Sequence, residues 1–195
     1  MSRRVRMGGE EREVVRLEIE LLVKELRGLD SAIGEIDRKL KKAVEEHPIA
    51  VKLLAMPGVG VVTAAADIGE VLPLMRNVSE GKAATYSGLT PLSRSSGKSD
   101  GRARLARGVN KRALDANYQS AVAAIRYSAL DAAYYRKQYQ QHQGHPKPHV
   151  AAFLALARQR FKVKYKLMTT DAVYDKEVLI ASHLHRAELE RHRVA

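Results

Sequence analysis

The amino-acid sequence predicts an all-α protein, and three observations support this fold class. Apolar residues recur every three or four positions from Val15 to Ala43, the heptad pattern of a helix with one apolar seam. Residues 149–168 show the same helical spacing. No segment alternates apolar and polar residues for long enough to predict a strand. We therefore expect a long N-terminal coiled-coil helix and a compact helical domain.

The first helix has an apolar seam flanked by charges of both signs. The seam consists of Val15, Ile19, Leu22, Leu26, Leu29, Ile33, Ile36, Leu40 and Ala43. Such a helix either packs on its own domain or pairs with another chain, and its regularity favours a homo-oligomer formed through residues 15–43. Pro48 is predicted to end the helix, so residues 1–48 are taken as a flexible tail and coiled-coil helix.

Residues 53–71, LLAMPGVGVVTAAADIGEV, predict a helix, a tight turn and a second helix. Pro57 and Gly58 end the first helix, and Gly60 is expected to allow a close backbone approach. The arrangement resembles a helix-hairpin-helix, whose turn amides at Gly58 and Gly60 can bind a backbone phosphate. A turn without a ligand is the alternative.

Further helices complete the predicted domain, residues 49–170. They comprise a short helix ending at Gly88, helices over 110–127, 131–141 and 149–168, and a C-terminal helix within 171–195. Helix 149–168 has two predicted faces. The apolar face consists of Val150, Phe153, Leu154, Ala157, Phe161, Tyr165 and Met168, and the basic face consists of Arg158, Lys162 and Lys166.

The formal net charge of +12 indicates a polyanionic partner. Residues 92–126 and 127–168 carry +6 and +7, so the excess lies wholly between 92 and 168. Nucleic acid is the expected partner, although basic surfaces also touch anionic membranes. The absence of cysteine excludes disulfides and thiolate zinc sites. No apolar run approaches the roughly 20 residues of a membrane span, and no secretory signal is seen, so we expect a soluble intracellular protein.

A glycine-rich basic loop, RSSGKSDGRARLARGVNKR, spans Arg94 to Arg112. Its cations, Arg94, Lys98, Arg102, Arg104, Arg107, Lys111 and Arg112, can converge on phosphates, and a solvated loop is the alternative. Ser95 or Ser96 could be a nucleophile, but a serine needs a base or a polarised electrophile, and no triad spacing is recognisable.

Other candidates are weaker. His142, His145 and His149 have spacings that could hold a metal but lack a carboxylate. The acids Asp67, Glu70, Asp115 and Asp131 form no cluster suited to Mg²⁺. The tyrosines of the later helices, Tyr118, Tyr127, Tyr134, Tyr135 and Tyr139, could stack on bases but are more often packed in a core.

Taken together, residues 50–175 resemble the C-terminal half of insertion-sequence transposases of the one-ten family, the DEDD/serine or bridge-RNA-guided recombinases. The Pro-Gly-x-Gly turn, GLTP, the Ser-Gly pair and the downstream basic block, in that order, carry the resemblance. It implies a prokaryotic cytoplasmic protein for DNA transposition. Ser96 would be the nucleophile, with Ser95 as alternate, and the basic residues from Arg102 to Arg112 would contact DNA and, as a further candidate, guide RNA.

The family's RuvC-like domain, with an acidic quartet for Mg²⁺, has no counterpart in this sequence. We therefore expect no cofactor in this chain, with Mg²⁺ implied only if a RuvC-like partner completes the site. Alone, the chain would bind DNA without cleaving it. Two alternatives stay open, a non-catalytic or regulatory remnant that pairs through its coiled coil and a structural protein built around that helix.

Overall fold

A computed structural model describes residues 8–75, 77–90 and 108–175, and the regular structure within these ranges is entirely helical, so the all-α prediction is confirmed. The helices are α1 (Gly9–Glu45), α2 (Pro48–Leu54), α3 (Val61–Ala66), α4 (Leu72–Met75), α5 (Glu80–Tyr86), α6 (Lys111–Tyr127), α7 (Ala129–Gln141) and α8 (Pro148–Thr169). A π-helical turn, Asp67–Val71, joins α3 to α4.

The chain divides into two compact units, Met1–Ala43 and Val44–Ala195. The first contains most of α1, which confirms the long N-terminal helix. In the second, α6, α7 and α8 pack against one another, and α2, α3 and α5 pack onto these three. The core of this unit is built largely from alanine, leucine and methionine, with Phe161 as its largest apolar side chain.

Pro48 starts a helix instead of ending one. Helix α1 stops at Glu45, and Pro48 is the first residue of α2, where its missing N–H costs no hydrogen bond. The His47 side chain caps α2 by accepting a hydrogen bond from the Ala50 amide at 3.4 Å.

The close backbone approach in the α2–α3 turn occurs at Gly58, and the expectation of one at Gly60 is wrong. Gly58 has φ +77°, and a Cβ there would lie 2.5 Å from the backbone nitrogen of Ala124 in α6. Among the described residues, no atom outside its chain neighbours lies within 4 Å of the corresponding position at Gly60. Packing of the turn on α6 therefore explains the glycine at position 58.

The predicted helices on either side of the basic loop are confirmed. Helix α5 ends in a Schellman motif, in which the Leu89 amide donates to Ala84 O and Gly88 adopts φ +68°. Helix α6 begins after Asn110, whose side chain caps it by accepting from the Ala113 amide at 3.0 Å.

Helix α8 follows its predicted range closely, but its buried face differs from the prediction. Ala157, Phe161 and Met168 are buried as expected, whereas Val150 is exposed. Arg160 and Lys164 are buried on the same face, although neither belongs to the predicted apolar set. Of the predicted C-terminal helix over 171–195, residues 171–175 are not helical, and the remainder lies outside the described residues.

Candidate nucleic-acid interface

Much of the predicted interface falls outside the residues that the structure describes. This applies to Ser96, its alternate Ser95, and the cations Arg94, Lys98, Arg102, Arg104 and Arg107. The structure does describe both flanks of this segment, which end at Thr90 and begin again at Gly108.

Asn110 ties these two flanks together. Its backbone amide donates to Tyr86 O at 2.8 Å, so the start of α6 is bonded to the end of α5. Its side-chain Nδ2 donates to Glu70 Oε2 at 2.6 Å and to the Tyr86 hydroxyl at 2.9 Å. One side chain therefore caps α6 and fixes its position relative to α5 and the π-helical turn.

Glu70 is the acidic partner at this junction. The hydrogen bond from Asn110 lowers the pKa of Glu70, desolvation opposes this shift, and Arg112 adds to the lowering through a contact of 3.4 Å. Because the Glu70 carboxylate contacts the Asn110 side-chain amide and the Arg112 guanidinium, we assign it a structural role at the start of α6.

The predicted cations in the described residues fall into two groups. Lys111 and Arg112 are exposed at the start of α6, and Lys162 and Lys166 are exposed one turn apart on α8. Arg158 instead forms an ion pair with Glu80 Oε1 at 2.5 Å, which links α8 to α5. Four of the five side chains are thus exposed to solvent, although one of these, Arg112, also contacts Glu70 at 3.4 Å.

Some backbone amides of the α2–α3 turn, which contains Gly58 and Gly60, already donate hydrogen bonds to protein atoms. The Gly60 amide donates to Thr63 Oγ1 at 2.9 Å, and the Val59 amide donates to Met56 O at 3.1 Å. Two amides of the turn are therefore bonded within the turn itself, and phosphate binding at Gly58 and Gly60 stays a prediction.

A buried ion pair between α8 and the π-helical turn is absent from the sequence-based prediction. Lys164 Nζ lies 2.7 Å from Asp67 Oδ2, and their side chains are only 1% and 0% exposed. Lys164 also donates to Asn117 Oδ1 at 3.0 Å, and Asn117 Nδ2 donates to Ala113 O at 2.8 Å. Burial lowers the pKa of Lys164, and Asp67 opposes that shift.

Arg160 holds together four parts of the same unit. It pairs with Asp131 of α7 at 2.8 Å, and it donates to Pro57 O in the α2–α3 turn at 2.5 Å and to Ser120 Oγ of α6 at 3.3 Å. Burial lowers the pKa of Arg160, and Asp131 opposes that shift. A signal existed in the sequence, because positions 160 and 164 lie on the same helical stripe as Ala157, Phe161 and Met168.

The aromatic residues mostly pack on one another. Tyr135 contacts Phe153 with ring centres 4.5 Å apart, and Tyr139 stacks on His149 at 4.3 Å. The Tyr135 hydroxyl lies 2.5 Å from His149 Nδ1. Tyr127, in contrast, is exposed. Among the described residues no three His, Asp or Glu side chains come together as metal ligands, and no helix is long and apolar enough to cross a membrane.

Comparison with known proteins places this domain among transposases. Residues 50–136 match the protein-family model described as "Transposase IS116/IS110/IS902 family". The chain is 33% identical over 157 residues to the IS900 uncharacterized 42 kDa protein of Mycobacterium paratuberculosis, covering 78% of this chain and 38% of that protein. It is 30% identical over 164 residues to the IS110 uncharacterized 43.6 kDa protein of Streptomyces coelicolor, covering 82% and 40%.

The IS116 uncharacterized 44.8 kDa protein of Streptomyces clavuligerus is 29% identical over 147 residues, covering 75% of this chain and 36% of that protein. The basic helical unit is thus a transposase domain of the kind that insertion elements encode. The chain belongs to the IS116/IS110/IS902 family, which confirms the resemblance seen in its motifs. It spans about two fifths of the length of these relatives.

Proposed function

We propose that this chain binds DNA phosphates during transposition, using the exposed cations of its second unit. The observation that carries the proposal is the exposure of Lys111, Arg112, Lys162 and Lys166 within the stretch that holds the whole positive excess of the chain. Exposed cations can bind phosphates and release counterions. Guide RNA carries the same phosphate groups, and we propose it as a second polyanion that these cations could bind.

We also propose Ser96 as the nucleophile of strand transfer, with Ser95 as the alternate. Its Oγ would attack a phosphodiester phosphorus, forming a phosphoserine ester while the bond from phosphorus to one deoxyribose oxygen breaks and that oxygen takes the proton. Arg94 and the basic residues from Arg102 to Arg112 would neutralise the phosphate charge. This role is supported by the family resemblance and by the serine-glycine pair in the basic loop.

The described carboxylates do not fit a Mg²⁺ site. Asp67 is paired with Lys164, Glu70 with Asn110 and Arg112, and Asp131 with Arg160. Mg²⁺ needs free oxygen ligands in an octahedral arrangement, so no step is assigned to a metal on these residues.

The test of DNA binding is the salt dependence of affinity, measured by fluorescence anisotropy with a labelled duplex. If Lys162 and Lys166 each neutralise one phosphate, the double alanine variant should lower the slope of log affinity against log salt by about 1.8. The matched control removes two exposed charges from α1, Lys24→Ala with Arg27→Ala. An equal loss in variant and control would contradict a localised interface.

The test of the nucleophile is a covalent adduct between this chain and DNA, formed in the presence of Mg²⁺ and a full-length relative. Denaturing electrophoresis separates this adduct by size from any adduct of the relative, and only the adduct of this chain is scored. Ser96→Ala should abolish the adduct and leave binding intact, whereas Ser95→Ala should retain it. An adduct that survives Ser96→Ala refutes the assignment.

A second function, a regulatory module that pairs with other chains through α1, is favoured by the exposed seam of that helix. It requires self-association through residues 15–43. In that case Ser96→Ala would leave every measurable activity unchanged, while loss of pairing would abolish regulation.

A further inference from the structure

The seam of α1 is a long apolar surface that stays exposed. Its six central residues, Ile19, Leu22, Leu26, Leu29, Ile33 and Ile36, are between 52% and 62% exposed. An apolar stripe of this regularity is the surface that coiled coils bury. Val14, Leu17, Leu21 and Val23 are further exposed apolar side chains of α1 that lie outside this seam.

The charges of α1 are distributed unevenly along its length. Residues 9–20 contain five acidic and two basic side chains, a net charge of −3, while residues 38–45 contain four basic and one acidic, a net charge of +3. The helix dipole accounts for acids in the first turn and bases in the last turn. The polarity of α1 extends well beyond the first turn, so the dipole alone does not explain it.

This polarity distinguishes the two orientations that a pair of identical helices can take. A parallel pair places the acidic end beside the acidic end and the basic end beside the basic end. An antiparallel pair places each acidic end beside a basic end, twice over. Complementary charges select the partner and orientation in coiled coils.

We propose that α1 pairs antiparallel with α1 of a second copy of this chain. The inference rests on the self-association put forward under the proposed function and adds its orientation and register. The chain would then leave the paired helices at opposite ends, so that the two copies of the second unit are connected to ends roughly 50 Å apart, at 1.5 Å per residue.

The register follows from matching the seam with itself. Setting Leu26 against Leu29 of the second copy also sets Ile19 against Ile36 and Ile33 against Leu22, which covers the seam over its whole length. Each pair joins the two kinds of heptad position, a and d, as antiparallel packing requires.

Flanking charges agree with this register. In this register Glu18 lies beside Lys39 of the second copy. Within its own helix, Lys39 Nζ also lies 2.7 Å from Glu35 Oε1. In a parallel pair Glu11 would gain Arg16, but Glu25 would face Asp30 at like charge. The flanks alone are therefore close to balanced in the parallel pair, and the charged ends favour the antiparallel one.

The orientation can be measured in the full chain because it contains no cysteine. We would introduce one cysteine at a time at the exposed positions Lys24, Ser31 and Arg38, attach a spin label and measure label-to-label distances by double electron–electron resonance. In the proposed register the labels at 24 and 31 are each offset from their copy by about 10 Å along the axis, and those at 38 by about 31 Å.

Equal distances at 24 and 31 with a clearly longer one at 38 would support the proposal. Three equal distances would show a parallel pair and overturn it, while leaving self-association standing. A chain that sediments as a monomer at all accessible concentrations would overturn both. A longer distance at 24 than at 31 would show another register, and would also overturn the pairing of Leu26 with Leu29.

A charge swap gives a second measurement that does not depend on labels. Glu18→Lys should weaken dimerisation about fivefold, since two exposed flanking pairs are lost per dimer. Adding Lys39→Glu should restore part of the loss. Glu13→Lys, the same charge change on the outer face of the helix, serves as the control. If the second substitution weakens the dimer further, Glu18 and Lys39 do not meet.

Discussion

Removal of the buried cation at position 164 should be among the most destabilising single changes in the second unit. Lys164→Met preserves the length of the side chain but leaves Asp67, which is fully buried, without its partner at 2.7 Å. The next polar contact of Asp67 is a longer one of 3.4 Å from Asn117. Breaking a buried ion pair from one side costs about 3–5 kcal/mol, which is a large share of the free energy of unfolding of a small domain.

Urea unfolding followed by circular dichroism at neutral pH measures this cost. With a slope of about 1–3 kcal/mol per molar urea, the midpoint should fall by at least about 1 M. The double variant Asp67→Asn with Lys164→Met removes both charges and should recover more than half of the loss. Lys162→Met, an exposed position on the same helix, should change stability by less than about 0.5 kcal/mol. A loss below about 1 kcal/mol in Lys164→Met would refute the reasoning.

Two further changes test the turn and the junction. Gly58→Ala should destabilise the chain by at least about 2 kcal/mol in thermal melts, because the left-handed backbone and the contact with Ala124 both oppose a Cβ. Gly60→Ala is the control and should have little effect. Equal losses in the two variants would contradict this packing. The pKa of Glu70 is lowered from its ordinary value of 4.5, so its contribution is present above that pH and lost as acid protonates it. Glu70→Gln should therefore flatten the fall in stability below pH 4.5, and an unchanged acid limb would show that the contact with Asn110 does not form in solution.

Local signals in the sequence were enough to predict most of the helices. Gly88 and Asn110 end one helix and start another through hydrogen bonds that involve residues only a few positions away. The seam of α1 is likewise a property of one continuous segment. Such features depend on interactions between residues that are close in the sequence, so they can be predicted from the sequence alone.

The helical stripe of α8 indicated that positions 160 and 164 face the core, but the partners of these two cations could not be predicted in the same way. A lysine on a helix is expected to face solvent unless a buried acid is known to meet it, and Asp67 is almost a hundred positions away from Lys164. The assignment of the close approach to Gly60 failed for a related reason. Two glycines flank one valine, and only the position of α6 shows which of them is in contact.

Helix α8 separates two roles by alternation. Arg160, Lys162, Lys164 and Lys166 are two residues apart, so successive side chains are rotated by about 200° and point to opposite faces. The buried pair, Arg160 and Lys164, binds the α2–α3 turn, α6, α7 and the π-helical turn, whereas the exposed pair has no such partner among the described residues. Substitution of the exposed lysines should therefore weaken DNA binding without changing the free energy of unfolding. Substitution of the buried cations should lower the free energy of unfolding, and weaken binding only as the domain unfolds.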